Sequence, residues 1–139
     1  MKLIPTGIEN FKELIDKDYY YVDKTNLIVN IINEKVVLYT RPRRFGKTLN
    51  MSMLYYFFSI KEKKNSYLFN HLNISKNIDA LKHQNKYPTI FISLKDMKVP
   101  SMDNQLLNFS SIIARLLDQF EDILDYDIFN DREKTLLNK

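Results

Sequence analysis

Gly46, Lys47 and Thr48 are the residues in this chain whose types and order most directly suggest chemistry. They follow an apolar, β-rich run, Val36 to Thr40, and precede a long apolar stretch that runs to Ile60. A phosphate-binding loop needs a residue without a Cβ, so that the backbone N–H can approach an anion. It needs a lysine for the outer phosphates, a hydroxyl for Mg²⁺, and a helix whose unpaired N-terminal N–H groups face the ligand. Gly46, Lys47, Thr48 and the stretch after them match those needs, so the segment reads as a Walker A motif between a strand and a helix. A full G-x-x-x-x-G-K-[ST] pattern would have glycine at position 41, where this chain has Arg41 followed by Pro42. Proline lacks an N–H and removes one backbone donor from the loop.

The same loop holds Arg41, Arg43, Arg44 and Lys47, four cations within seven residues. Two such charges about 6 Å apart repel by roughly 0.7 kcal/mol in water and about 3 kcal/mol at an effective dielectric near 20. A cluster of this kind on a structured loop favours an anion, and a nucleoside triphosphate has matching charge. The nucleotide contacts expected from this reading are Arg41, Pro42, Arg43, Arg44, Phe45, Gly46, Lys47, Thr48 and Leu49, with Thr48 on the metal. ATP and Mg²⁺ are the expected ligands.

The elements that must position this loop follow from periodicity. A Pro-Thr-Gly turn leads into a short helix marked by Ile8, Phe11, Leu14 and Ile15. Asp18 to Thr25 is an aromatic, extended segment, with Asp23 or Thr25 capping a helix whose apolar face is Leu27, Ile28, Ile31 and Ile32. The rings of Tyr19, Tyr20 and Tyr21 are expected to pack on the core rather than stack on adenine. Val36 to Thr40 is expected to be a central parallel strand buried on both faces. The helix after the loop has Leu49, Met53, Phe57 and Ile60 on one side and Met51, Leu54 and Phe58 on another, so it should lie against a sheet. Lys61 to Lys64 is expected to be a solvated helix end. Asn65 to Ile74 is a turn with a short packed segment, and Lys76 to Leu81 another helical turn.

Tyr87-Pro88 leads into Thr89 to Leu94, a second buried strand with proline at its permitted first position. After a loop, Asp103 to Phe120 is a long amphipathic helix striped by Leu106, Phe109, Ile113, Leu116, Leu117 and Phe120, with Asp103 as its cap. Asp96 is in the position of a Mg²⁺-orienting acid but is a poor one, because Lys95 separates it from the strand and no second acid follows. Asp96-Met97-Lys98 is also too short to define a nuclease half-site. His71 and His83 have no ligand-spaced partners and read as packing or surface residues.

Composition bounds the rest. The 139 residues allow one domain, and 45% apolar content with nine Tyr and nine Phe argues for a folded core. Zero cysteines exclude disulfides and suit a reducing compartment. No run approaches a membrane span, so a cytoplasmic location is expected. A net charge of +4 permits nucleic-acid contact without arguing strongly for it.

Gly7-x-x-x-Phe11, Tyr21 to Thr25 (YVDKT), Thr40 to Leu49 (TRPRRFGKTL), Met53-Leu54 and Phe57-Phe58 together resemble the AAA-ATPase-like family of predicted bacterial P-loop ATPases. Its members often have a C-terminal PD-(D/E)XK nuclease-like domain. The resemblance covers about residues 4–125, with 126–139 as a charged tail. It implies the N-terminal part of an α/β P-loop NTPase-like domain, a parallel sheet with flanking helices, with Lys47 on the phosphates and Thr48 on Mg²⁺. It also implies that Arg41 is the family's own pattern. The family's acidic strand end falls beyond this sequence, so no catalytic residue can be named. The functional expectation is therefore ATP binding, without hydrolysis assigned to this chain alone. A partner chain completing the sheet is a further expectation, and so is nucleic acid met through a missing C-terminal domain. The competing expectation is a nucleic-acid-binding or nuclease-associated module that uses the basic loop on phosphate backbone.

Overall fold

The computed structural model of the chain describes residues 1–40, 46–93 and 101–120. The chain divides into two compact units, residues 1–91 and 92–139. In the first unit the helices are α1 (Phe11–Asp16), α2 (Asn26–Ile31), α3 (Lys47–Phe58) and α4 (Ile78–Leu81), with 3₁₀ segments Ile60–Phe69 and Asn73–Lys76. In the second unit the described helix is α5 (Met102–Asp118).

α1 begins where Asn10 Oδ1 accepts the Glu13 N–H at 3.0 Å, a side-chain N-cap that satisfies one of the helix's orphan donors. The helix buries Phe11 and Leu14. α3 crosses it, and the two are pinned by the Phe11 N–H donating to the buried Ser52 Oγ at 3.0 Å. The 3₁₀ segment Ile60–Phe69 closes on both helices with Leu68 and Phe69. Phe69 stacks on Phe11 with ring centres 5.1 Å apart and meets Phe57 edge-on at 5.2 Å. Ile28, Met53, Ile74 and Ala80 complete this core.

The expected sheet is not found. Among the described residues no strand forms, and the extended pairing amounts to a parallel bridge between Ser59 and Tyr87. There the Ile60 N–H donates to the Tyr87 carbonyl at 2.8 Å and the Tyr87 N–H to the Phe58 carbonyl at 3.0 Å. Val36 to Thr40 and Thr89 to Ser93 have no strand conformation. Val36 and Leu38, expected at the centre of a sheet, are 87% and 86% exposed. The physical reason is that strand propensity only expresses itself through a paired ladder and a covered face. α3 buries its apolar side against α1 and the 3₁₀ segment, which leaves neither run a layer to join. The α/β P-loop NTPase-like fold is therefore corrected to a helical one over the described residues, and the resemblance does not extend to the fold it implied. An open sheet edge awaiting a partner chain falls with it, because no sheet forms among the described residues.

Candidate binding surfaces

Two constellations in the first unit were legible as motifs and prove to be structural. Asp23 and Thr25 form a clasp. The Asp23 carboxylate accepts the Thr25 N–H at 2.9 Å, the Thr25 hydroxyl at 2.6 Å and the Asn73 N–H at 2.6 Å. The fully buried Thr25 then accepts the Ile74 N–H at 3.2 Å through Oγ1. Partial burial opposes the Asp23 charge, but the Thr25 and Asn73 bonds and the nearby Lys76 outweigh it and hold the carboxyl below its ordinary range. The sequence marked both residues as helix caps. Thr25 stands at the N-cap of α2 but makes no side-chain cap bond. The pair instead ties α2 to a segment about fifty residues onward.

Among the three tyrosines, Tyr21 packs edge-on against Phe11 at 5.7 Å, and its hydroxyl lies 3.5 Å from Met53 Sδ. Burial pushes its phenol up to about 12. Tyr20 stays exposed. His83 stacks on Tyr87, with Nδ1 2.5 Å from the Tyr87 hydroxyl. The buried Asn85 was not singled out by the sequence. At φ 54° it turns the chain while its Nδ2 donates to the Tyr56 and Ser59 carbonyls at 3.1 and 2.8 Å. An asparagine four residues past a short helix is the signal that could have marked it, since Asn tolerates left-handed backbone.

The expected nucleotide site is split by what the structure describes. Arg41, Pro42, Arg43, Arg44 and Phe45 lie outside the described residues, as do Asp96 and the 126–139 tail. Gly46 is the N-cap of α3 at φ 73°, where a residue without a Cβ is favoured. Lys47 opens the helix and is exposed, while Thr48 and Leu49 are half-buried. A cleft of about 220 Å³ beside this turn is lined by Tyr20, Tyr21, Lys24, Gly46, Leu49 and Asn50, among others. Its walls are mainly apolar and aromatic.

This geometry overturns the expectation of ATP binding through a P-loop. Such a loop is held in shape by a buried parallel strand on one side and a helix on the other. Here Val36 to Leu38 and Thr40 are exposed and Val36 to Thr40 form no strand, so among the described residues the architecture that would hold triphosphate is missing. Among the described residues no group of three His, Cys, Asp or Glu side chains is placed to hold a metal, so none supports Mg²⁺ at Thr48. ATP, Mg²⁺ and a nucleoside triphosphate partner are withdrawn together. The nucleic-acid expectation fares no better. Of the four loop cations only Lys47 is described, at the start of α3, and no feature among the described residues supports nucleic-acid binding there.

A third surface has a different character. α5 begins at Ser101, whose Oγ accepts the Asn104 N–H at 3.3 Å, so Ser101 and not Asp103 provides the side-chain cap. The helix is 17 residues long and most of its apolar residues lie on one side, Leu107 excepted, yet none of them is fully buried. Leu106 is 60% and Phe109 40% exposed. Ile113, Leu116 and Leu117 are half-buried, and Phe120, just past the helix, is buried. Among the described residues no helix is long and apolar enough to cross a membrane.

Fold and surfaces together describe a small helical domain followed by an amphipathic helix. By sequence, the chain belongs to the predicted AAA-ATPase family, whose profile matches residues 5–138. It is also 42% identical over 55 residues to an uncharacterized protein encoded in the vnfD 5' region of Azotobacter chroococcum mcd 1. That alignment spans 38% of this chain and 11% of the relative. No solved structure matches the chain. Family membership establishes descent, and the sheet-borne loop implied by the resemblance is absent from the described residues.

Proposed function

We propose that this chain is a protein-binding module that presents the apolar stripe of α5 to a partner protein. The supporting observation is that a 17-residue helix keeps Leu106 and Phe109 in solvent and buries no residue. Burying an exposed leucine or phenylalanine is worth about 1.5–3 kcal/mol, so a stripe of them is a reserve of binding energy. Amphipathic helices of this kind dock into apolar grooves through residues spaced three and four apart. Arg41 to Leu49 is proposed as a second contact region of the module, on the strength of its four cations, and would meet an acidic protein surface. The cytoplasm is the proposed location, supported by the absence of cysteine from the sequence.

The test is photo-crosslinking in cells with a benzophenone amino acid placed at Phe109, on the stripe, or at Ser111, on the opposite side of the helix. Protein adducts from position 109 and not from 111 are expected. Equal labelling at both positions, or none at 109, would sink this reading.

A further inference from the structure

We infer that the first unit holds a binding site for an aromatic carboxylate, in a cleft lined by the end of α2 and the segment that follows α4. The inference goes beyond the α5 reading and stands apart from it. The cleft has a volume of about 350 Å³, within the range of small-molecule sites, and all of its lining comes from the first unit. Its aliphatic part is Ile31, Ile32, Pro88 and Ile90. Its aromatic part is a row of rings. Phe58 meets Tyr87 edge-on with centres 6.0 Å apart, and Tyr87 lies nearly parallel to His83 at 5.9 Å. A flat aromatic body suits such a lining, because its faces and edges make good contacts with aliphatic groups and with rings.

The lining is held in place without a ligand. The Tyr87 N–H donates to the Phe58 carbonyl at 3.0 Å, and its own carbonyl accepts the Ile60 N–H at 2.8 Å. The buried Asn85 braces the same turn, and Ile32 and Phe58 pack on the core. Ile90 nevertheless stays 54% exposed, so the cleft keeps apolar surface for a ligand to cover. The polar end is the couple of His83 and Tyr87, joined by one hydrogen bond between Nδ1 and the hydroxyl. If the hydroxyl donates, the imidazole keeps its Nε2–H; if Nδ1–H donates, the phenol keeps its proton. Either way the couple offers a ligand one further donor. Thr89, the remaining polar lining residue, already gives its hydroxyl proton to the Tyr87 carbonyl at 3.1 Å. Among the described residues no carboxylate lines the cleft. The charged residues flanking the couple in sequence are Lys82, paired with Asp79, and Lys86, so the surplus charge there is positive. A carboxylate head thus meets a donor in positive surroundings, where a charge-assisted bond is roughly twice as strong as a neutral one.

The test is a titration of the full chain, labelled at the isoleucine δ1 methyl groups, with naphthylacetate, followed by carbon–proton correlation NMR. Saturable shifts should appear at Ile31, Ile32 and Ile90 and not at Ile113 of α5. The dissociation constant should be on the order of 1 mM, as ordinary ligand efficiency gives for about 14 non-hydrogen atoms. Naphthylacetamide, which has the same shape without the charge, should bind about fivefold more weakly or worse. His83→Phe combined with Tyr87→Phe keeps the row of rings, removes both donors, and should weaken naphthylacetate by about tenfold with the thermal melt retained. Ile90→Trp, at an exposed position, narrows the cleft without altering the couple and should also weaken binding. No saturable shift up to the solubility limit, or equal shifts at Ile113, overturns the site. Equal affinity for acid and amide overturns the carboxylate, and unchanged binding by the double variant overturns the role of the couple. Should the double variant fail to fold, Ile90→Trp decides: binding as tight as in the wild type overturns the site.

Discussion

α3 and α5 are both long helices rich in apolar residues, and they end in opposite states. α3 is apolar nearly all round and buries Met53 and Phe57, together with the polar Asn50 and Ser52. α5 gathers most of its apolar residues on one side, with Leu107 apart from them, and has no fully buried residue. The difference lies in what each helix meets. α3 is crossed by α1 and closed by the 3₁₀ segment Ile60–Phe69, and each polar group it buries has a hydrogen-bond partner. Ser52 accepts from the Phe11 N–H, and Asn50 donates to the Tyr39 hydroxyl at 3.2 Å. Amphipathic pattern thus defines a face without determining whether this chain covers it, and neighbours within about 4 Å are what turn a face into a core.

The sharpest way to test that contrast is to delete one aromatic from each helix. Phe57→Ala removes a fully buried ring and should cost about 3–5 kcal/mol in denaturant unfolding, enough to threaten the fold of the first unit. Phe109→Ala, measured at low micromolar concentration, should change the same midpoint hardly at all. A comparable loss at both positions would mean that α5 is packed after all.

The clasp between α2 and the later 3₁₀ segment comes next. Thr25→Val keeps the shape but takes the acceptor from the Ile74 N–H and a donor from Asp23, and should cost about 1–3 kcal/mol. Hydrogen exchange should show faster exchange at Asn73 and Ile74. Acid should reach the same contact. The folded Asp23 carboxyl lies below its ordinary value, so its stabilisation is present above the unfolded pKa and lost as pH falls through the folded one. A denaturation series taken downward through the carboxylate range should lose stability more steeply in the wild type than in Asp23→Asn. Parallel curves would remove Asp23 from the clasp.

Smaller effects belong to the helix ends. Asn10→Ala and Ser101→Ala each delete an N-cap and should cost about 1 kcal/mol of helix stability. For Asn10 this appears in the global melt, and for Ser101 as fraying of α5 by circular dichroism. Lys17→Ala, which removes an exposed ion pair to Glu13, should leave the midpoint within measurement error.

The local helical pattern was legible in advance wherever it was carried by neighbours in sequence. Phe11 and Leu14 at helical spacing, the start of α3 at Gly46-Lys47 and the Leu106 to Leu116 stripe all matched observed helices. The strands were not legible. Val36 to Thr40 and Thr89 to Leu94 have the composition of buried strands, but a strand is a relation between segments, and composition names only one partner. Leu94 lies outside the described residues, and Thr89 to Ser93 form no ladder among them. The nucleotide reading failed for the same reason, since its loop was inferred from residues whose geometry depends on the strand beneath them. Asp23 and Thr25 were picked out correctly as hydrogen-bonding residues and assigned the wrong partners, because Asn73 and Ile74 are about fifty positions away.

The sequence by itself determined the helices, the cation-rich segment and descent from the predicted AAA-ATPase family. These depend on dihedral preference, on side chains a few residues apart, or on residue identity alone. Only the tertiary structure decided that Val36 and Leu38 face solvent, that Asp23 and Thr25 bind a distant segment, and that α5 buries nothing. Each of these depends on which surfaces meet. That choice is made by the summed burial of the Phe11, Phe57 and Phe69 core, a property of the folded chain that no single stretch of it contains.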